Sequence, residues 1–477
     1  MILFGGIQLV TIHKTKIEKA YDTAKMKAKQ IHHPVLLSIV EEVDAVDPLS
    51  FYYGGSSFIG ERFLWKDRDH TISLVGLGAA HIMSANDIND RFFTVEKEWK
   101  RLIEESVIVT GEKWTGTGPL LFGGFSFDPL NDIGEEWEQF SNGTFQLPKF
   151  MLTKPGKTNY LTMNFICHPE ESEECLFHDL IRVKEKLLEN AGMPIIPEQP
   201  RWLQNRDMKP QEWKDSVQNV VNRLKQGEMD KVVLARKCEV AFETKVSSDF
   251  VLDNLWKQQP DSFVFSFERK ESCFIGATPE RLVKKTGDDV LSTCLAGSIA
   301  RGDTLEKDEK LGTELLLDEK NRYEHQLVVE SIHEALAPYC ESLTIPSSPQ
   351  LMKLKDIQHL YTPVTGQASE HTSLLELVGK LHPTPALGGV PRDKALHVIR
   401  EEEEMDRGLY AGPVGWIDAY GNGEYAVALR SGLLQGEKAY LYAGCGIVAD
   451  SEPESEFKET QMKFRPMLRA LGGNIND

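Results

Sequence analysis

No two of the seven cysteines in this 477-residue chain form a Cys-x-x-Cys pair, and an odd number cannot all pair within one chain. A disulfide framework and a thiolate metal site are thereby disfavoured, and reduced thiols in a cytoplasm are expected. No apolar run reaches membrane-spanning length. The apolar opening, Met1 to Val10, lacks a basic segment before it and a small-residue cleavage site after it, so no secretory signal is expected. Basic residues are outnumbered, 54 Lys and Arg against 73 Asp and Glu, for a net charge of −19. That sign opposes nucleic acid and anionic membranes as partners. An anionic substrate would need local cations, backbone N–H groups or a metal to hold it against the overall field. Internal repeats and low-complexity segments are also missing. What is there, 41% hydrophobic and 27% charged residues, is the composition of a soluble globular protein of one large or two smaller domains.

The most informative stretch lies near the C-terminus, where an apolar run, Tyr440 to Ala443, reaches Gly444-Cys445-Gly446 and then a polar turn and a helix. Glycines let backbone approach a ligand closely and expose N–H groups to an anion. Ser451 followed by Glu454 reads as a capping box, with Pro453 in the first turn. Helical spacing puts Glu456, Glu459 and Lys463 on one face, and Phe457, Phe464, Met467, Leu468 and Leu471 on another. Two carboxylates one turn apart beside a glycine loop suit a hard cation. A solvated acidic helix face is the alternative reading of the same residues.

Earlier in the chain, Leu9 to His13, Val35 to Val40 and Thr71 to Leu77 read as strands, and Lys16 to Ile31 and Thr94 to Glu105 as helices. Gly123-Gly124 within Phe122 to Pro129 suggests a kinked strand at a sheet bend. Gly192 to Pro200, with its prolines, is a linker or crossover, and Glu401 to Glu404 is a solvated helix face. Pro210 to Lys225 is an amphipathic helix, and Lys231 to Arg236 a buried strand with a lysine at its mouth. Strands follow at Phe263 to Glu268 and Phe274 to Leu282, and a helix at Asn321 to Leu336 carries Glu324 and His325. His382-Pro383-Thr384-Pro385 cannot be regular helix.

Five segments in order resemble the chorismate-utilising enzymes: Gly-Ala-Thr-Pro-Glu at 276–280, Leu-Ala-Gly-Ser at 295–298, His-Pro-Thr-Pro-Ala at 382–386, Tyr-Ala-Gly-Pro-Val-Gly at 410–415, and Gly-Cys-Gly-Ile-Val-Ala-Asp-Ser at 444–451. The resemblance is strong from about 205 onward (205–472 as the catalytic part) and weaker over 1–204. It implies one large domain of the α+β type, two stacked, mostly antiparallel sheets flanked by helices, with 192–200 a crossover within it. It also implies chorismate as substrate, Mg2+ as cofactor and three catalytic side chains. Lys231 is the expected base, standing where aminating relatives carry glutamine and water-adding relatives lysine. Glu280 is the expected acid, unless it is a turn glutamate paired with Arg281. His382 matches a histidine near the leaving hydroxyl, or one that stabilises its loop.

Glu324 and Glu459 match magnesium ligands of the family, with Glu456 reaching the ion through water. Tyr410, Arg430, the Gly444 and Gly446 amides and Lys463 match positions that receive the two carboxylates, and Ala296, Gly297 and Ser298 line the substrate. Ala296 stands where aminodeoxychorismate synthases carry a nucleophilic lysine, which argues against that activity. Leu36-Leu37-Ser38-Ile39 departs from the Leu-Leu-Glu-Ser segment of tryptophan-inhibited members, so that feedback is not expected. The implied reaction is conversion of chorismate to isochorismate, for menaquinone synthesis, with no glutaminase subunit. Salicylate synthesis, anthranilate synthesis and a non-catalytic binding role are the alternatives, in that order.

Overall fold

The computed structural model describes residues 3–473 apart from 112, 132, 171–173, 195 and 356. Backbone hydrogen bonds join its 21 described strands into one continuous sheet. That sheet forks at the strand Gly143–Pro155. One edge of this strand pairs with Ile72–Ser84, while the other is shared by Leu120–Phe125 and Asn159–Cys167. From Ile72–Ser84 the first arm runs through Arg62–Lys66, Phe263–Arg269, Ser272–Thr278, Ser431–Gln435 and Lys438–Ile447 to Lys231–Phe242. From Leu120–Phe125 the second runs through Pro413–Asp418, Gly423–Val427, Arg281–Thr286 and Asp289–Ala300 to Ile357–Ala368. Among the described strands the only parallel pairing is Val35–Val43 beside Val107–Val109. The two expected sheets are thus two arms of one.

Side-chain alternation makes the arms stack. Phe63 and Trp65 enter one core while Leu64, between them, enters the other. The first core lies between the arms, where Phe63, Trp65, Phe265 and Phe267 meet Phe122, Val283, Trp416 and Tyr425. Phe63 stacks on Phe122 at 4.4 Å between ring centroids. The second core lies outside the first arm, between Leu64, Val264 and Ile275 and the helices Pro48–Gly54, Ser248–Gln258 and Pro453–Ala470. Each fully buried aromatic or aliphatic side chain contributes roughly 1.5–3 kcal/mol. Strands from 1–204 and 205–472 interleave in both arms, so these parts are halves of one sheet.

Several local expectations are corrected. Leu9 to His13 is helical, inside Leu3–Ile31, because neither glycine nor proline interrupts the chain between Gly6 and Pro34. Gly123 and Gly124 form no kink, for their register on both sides is continuous. They are there for close approach, since a Cβ on Gly123 would lie 2.1 Å from the Thr144 carbonyl oxygen. Gly444 and Gly446 lie inside the strand Lys438–Ile447 and not after it. The Ser451 capping box is not formed. The helix Pro453–Ala470 starts one residue later, with Glu452 as cap, and Ser451 Oγ accepts from the Val448 N–H instead.

Candidate active site

Lys231 begins a strand held on both edges, by Val390 on one side and by Gly446 and Ile447, opposite Val233 and Val232, on the other. Its side chain passes directly over Gly446. A Cβ there would fall 2.6 Å from Lys231 Cε and 3.8 Å from Glu324 Oε1. The glycine therefore makes room for the lysine, whose Nζ donates to Glu324 Oε1 from the helix Glu319–Leu336. Lys231 is buried and Glu324 half-buried.

Glu280 occupies the turn between Ser272–Thr278 and Arg281–Thr286, its backbone held by Thr278 Oγ1 and the Val427 N–H. It does not pair with Arg281, whose guanidinium bonds Glu424 at 2.6 Å and also Asp69. Burial pushes the Glu280 carboxyl up to about 7, although the charges of Lys231, Arg430 and Lys463 pull it back. A buried acid facing cations, with its proton balanced near neutrality, is what general acid catalysis needs.

Arg430 and Lys463 supply fixed positive charge. Arg430 has φ +47°, and its carbonyl accepts from the Ala277 N–H. A non-glycine residue in the left-handed region carries strain of about 1 kcal/mol or more, which often marks a functional position. Lys463 Nζ donates to the Gly444 carbonyl and to Glu459, at 2.9 and 2.8 Å. Burial opposes its charge, yet Glu459 holds its pKa above the ordinary lysine value. Tyr410 is buried against Tyr442, ring centroids 5.4 Å apart. Ala296, Gly297 and Ser298 sit at a β-bulge, Gly297 with φ +79°. The Ala296 carbonyl accepts from His325 Nδ1 at 2.9 Å.

The acidic residues gather round the same strand end. Glu324 reaches Gly446, while Glu456 and Glu459 act electrostatically on Cys445. Glu456 lies above the usual carboxylate range, first because it is buried and then because Glu459 is near. Among the described residues, no three His, Cys, Asp or Glu side chains converge as a ready metal cage. His382 is fully buried where the helix Leu374–Leu381 ends. Its Nε2 donates to the Phe127 carbonyl at 2.9 Å, and burial keeps the ring neutral beside Arg91, Arg392 and Arg407. The Phe127 bond is one a loop-stabilising histidine would make, while Nδ1 is buried without a partner.

Two contributors escaped sequence reasoning. Glu403, in the run read as solvated, is buried: it pairs with Arg407 and accepts from the Ala235 N–H at 2.7 Å. The helix ends at Glu402, which turns Glu403 inward toward the strand of Lys231. His359 bonds Ser298 Oγ at 2.6 Å, across strands that are 61 residues apart in sequence. Only the strand register could have brought them together.

The forked sheet, with an acid, a lysine and two further cations at its end, is a scaffold for binding and transforming a small carboxylate. Residues 19–472 match the family described as chorismate binding enzyme, and the chain belongs to that family. It is 42% identical over 476 residues to the isochorismate synthase MenF of Bacillus subtilis, covering 98% of this chain and 99% of that protein. It is 36% identical over 470 residues to the salicylate biosynthesis isochorismate synthase of Pseudomonas aeruginosa, covering 95% and 94%. The solved structure of MenF, the menaquinone-specific isochorismate synthase of Escherichia coli, superposes with a TM-score of 0.76 at 26% identity over 95% of this chain and 99% of that one.

Proposed function

We propose that this chain is a magnesium-dependent isochorismate synthase acting in menaquinone synthesis. Chorismate gains water at ring carbon 2 and loses its hydroxyl at carbon 4. The observation that carries the reading is the buried Glu280, protonated up to about pH 7, in the same charged cluster as Lys231. Lys231 takes the proton of the attacking water, and Glu280 gives its own to the departing hydroxyl. To act as the base, Lys231 must be a neutral amine released from its ion pair with Glu324, since an ammonium has no lone pair with which to accept a proton. Arg430, Lys463 and the Gly444 and Gly446 backbone hold the two carboxylates against the net charge of −19. Tyr410 and Ala296 to Ser298 line the ring, and His382 sets the loop that returns to Val390.

The oxygen donors fit magnesium, which takes one or two protein carboxylates and completes its shell with water and substrate oxygens. Glu324, Glu459 and, through water, Glu456 would hold it. When bound, it neutralises the ring carboxylate and withdraws electron density from the ring. A water nucleophile needs no ammonia, so no glutaminase partner is required. Cys238, Cys273, Cys294, Cys340 and Cys445 are free thiols, which suits a cytoplasmic enzyme. No helix among the described residues is long and apolar enough to cross a membrane.

The test is product analysis of purified protein with chorismate and magnesium. Isochorismate in a mixture with remaining chorismate is expected, because exchange of one ring hydroxyl is nearly thermoneutral. Stoichiometric pyruvate with salicylate, or anthranilate with ammonium, would overturn the assignment.

A further inference from the structure

The strand Lys231–Phe242 pairs with Lys438–Ile447 along one edge, from Val232 to Ala241. Its other edge is covered by strands only at the ends. Gly389 and Val390 lie opposite Val232 and Lys231, and Trp202–Asp207 covers Cys238 to Phe242. Among the described residues no strand covers Val233 to Lys237 on that side. A buried strand edge is costly unless other groups satisfy its N–H and C=O groups. Some are met from nearby: the Gly388 carbonyl accepts from the Val233 N–H at 2.9 Å, and the Ala235 carbonyl accepts from Trp213 Nε1 at 3.1 Å.

Two others go to a side-chain ion pair. Arg407 Nη2 donates to the Val233 carbonyl at 2.7 Å, and Glu403 Oε1 accepts from the Ala235 N–H at 2.7 Å. The two side chains also bond each other, and each is only 3% exposed. A donor to one residue and an acceptor from the residue two further on reproduce what a neighbouring strand would offer. The same guanidinium reaches the adjoining loop, where Nη1 donates to the Leu387 carbonyl at 3.1 Å. That loop ends at Val390, the strand partner of Lys231. Arg407 also stacks 4.1 Å from the ring centroid of Phe127, whose carbonyl holds His382.

We infer that Arg407 and Glu403 are positioning residues, an ion pair standing in for the missing strand and so fixing where Lys231 delivers its nitrogen. The inference rests on the reading of Lys231 as the base. Lys231 and Val233 point to the same face of the strand, so a shift of this edge passes directly to the lysine. A displacement of about 1 Å at a reacting group can cost about a hundredfold in turnover. Arg430 and Lys463, which are assigned to the substrate carboxylates, lie on other elements. The loss therefore falls on kcat more than on KM.

The experiment starts from wild-type turnover of chorismate with magnesium, whose absence would sink the proposed function and not this role. In Arg407→Met, kcat should fall at least about tenfold while KM stays within about threefold. The double variant Glu403→Leu/Arg407→Met leaves no lone buried charge, so it should unfold at a higher temperature than Arg407→Met. Its kcat should stay as low, because the strand edge is still unheld. Recovery of kcat together with stability would show a merely structural pair and overturn the role. In a Lys231→Gln background, Arg407→Met should lower the residual turnover by no more than about threefold, since both changes act through one lysine. Multiplied losses there would equally overturn it. Should Arg407→Met not fold, Arg407→Lys decides. Lysine keeps the charge opposite Glu403 but lacks the fork that spans Val233 and Leu387. A folded Arg407→Lys enzyme with kcat down at least about tenfold supports the role, and kcat within about twofold of wild type refutes it.

Discussion

A carboxyl that is buried among cations is pulled two ways, and for Glu280 burial wins, taking it from about 4.5 to about 7. The sign has two consequences. As an acid it works only while protonated, so turnover should fall as pH rises through 7, and Glu280→Gln should lose at least about a hundredfold in kcat. As a stability term, a raised folded pKa adds nothing below the unfolded value and costs stability as pH climbs through the window to about 7. The shift corresponds to an order of 3 kcal/mol. Glu280→Gln should therefore unfold at a higher temperature than wild type at pH 8.5 and at nearly the same temperature at pH 4.5. Calorimetry at the two pH values measures this, and equal unfolding temperatures at pH 8.5 would remove the acid. Lys231 offers a steric counterpart. Gly446→Ala sets a methyl 2.6 Å from Lys231 Cε, so the side chain must move. Turnover should fall about as far as in Lys231→Gln, the variant that recreates the residue of the aminating relatives, while circular dichroism stays unchanged. An active Gly446→Ala enzyme would show that the position of the lysine is not critical.

At the scale of elements, the helix Pro453–Ala470 carries Glu456, Glu459 and Lys463, and Arg236 pins it to the strand of Lys231. Its guanidinium lies 4.0 Å from the centroid of Phe457 and 4.8 Å from that of Phe464, and Nε donates to Thr460 Oγ1 at 2.7 Å. Asp207, at 2.6 Å, completes the pairing. Removing one partner of a buried pair costs about 3–5 kcal/mol, and the part-exposed Asp207 keeps this case toward the low end. Arg236→Ala should lower denaturant stability by about 3 kcal/mol and raise the magnesium requirement, as the helix loosens. Unchanged stability would mean that apolar packing alone docks the helix. Elements with strong periodicity were legible: the helix Pro210–Lys225 and the start of the strand at Lys231 fall where the residues place them. Elements decided by distant contacts were not. Gly123 and Gly124 read locally as a bend, but their purpose is a neighbouring strand's backbone. Glu403 reads as one of four solvated glutamates, and only the end of its helix shows that it faces inward. The candidate acid, lysine and cations were legible through the chain's resemblance to a known family, whereas the bond from His359 to Ser298 depends on register and bears no local mark.

For the whole molecule the question is how a cleft rich in carboxylates stays folded when no cation offsets them. The pairings give the answer: Glu324 is bonded to Lys231, and Glu459 to Lys463, both within a scaffold closed by a continuous sheet. Small zinc domains unfold when stripped because the metal replaces a core. Here both cores are complete without it. Binding of magnesium at tenfold its dissociation constant adds only about 1.4 kcal/mol, set against the unfolding enthalpy of a chain this long. An excess of chelator should therefore abolish turnover while moving the unfolding temperature by no more than about 2 °C. Readdition of magnesium should restore full activity without a refolding step. Full activity in chelator would dismiss the metal from the reaction. Loss of the folded state in chelator would show instead that the lysine pairs do not satisfy the carboxylates, and with that the picture of Glu324 exchanging between Lys231 and magnesium would fall.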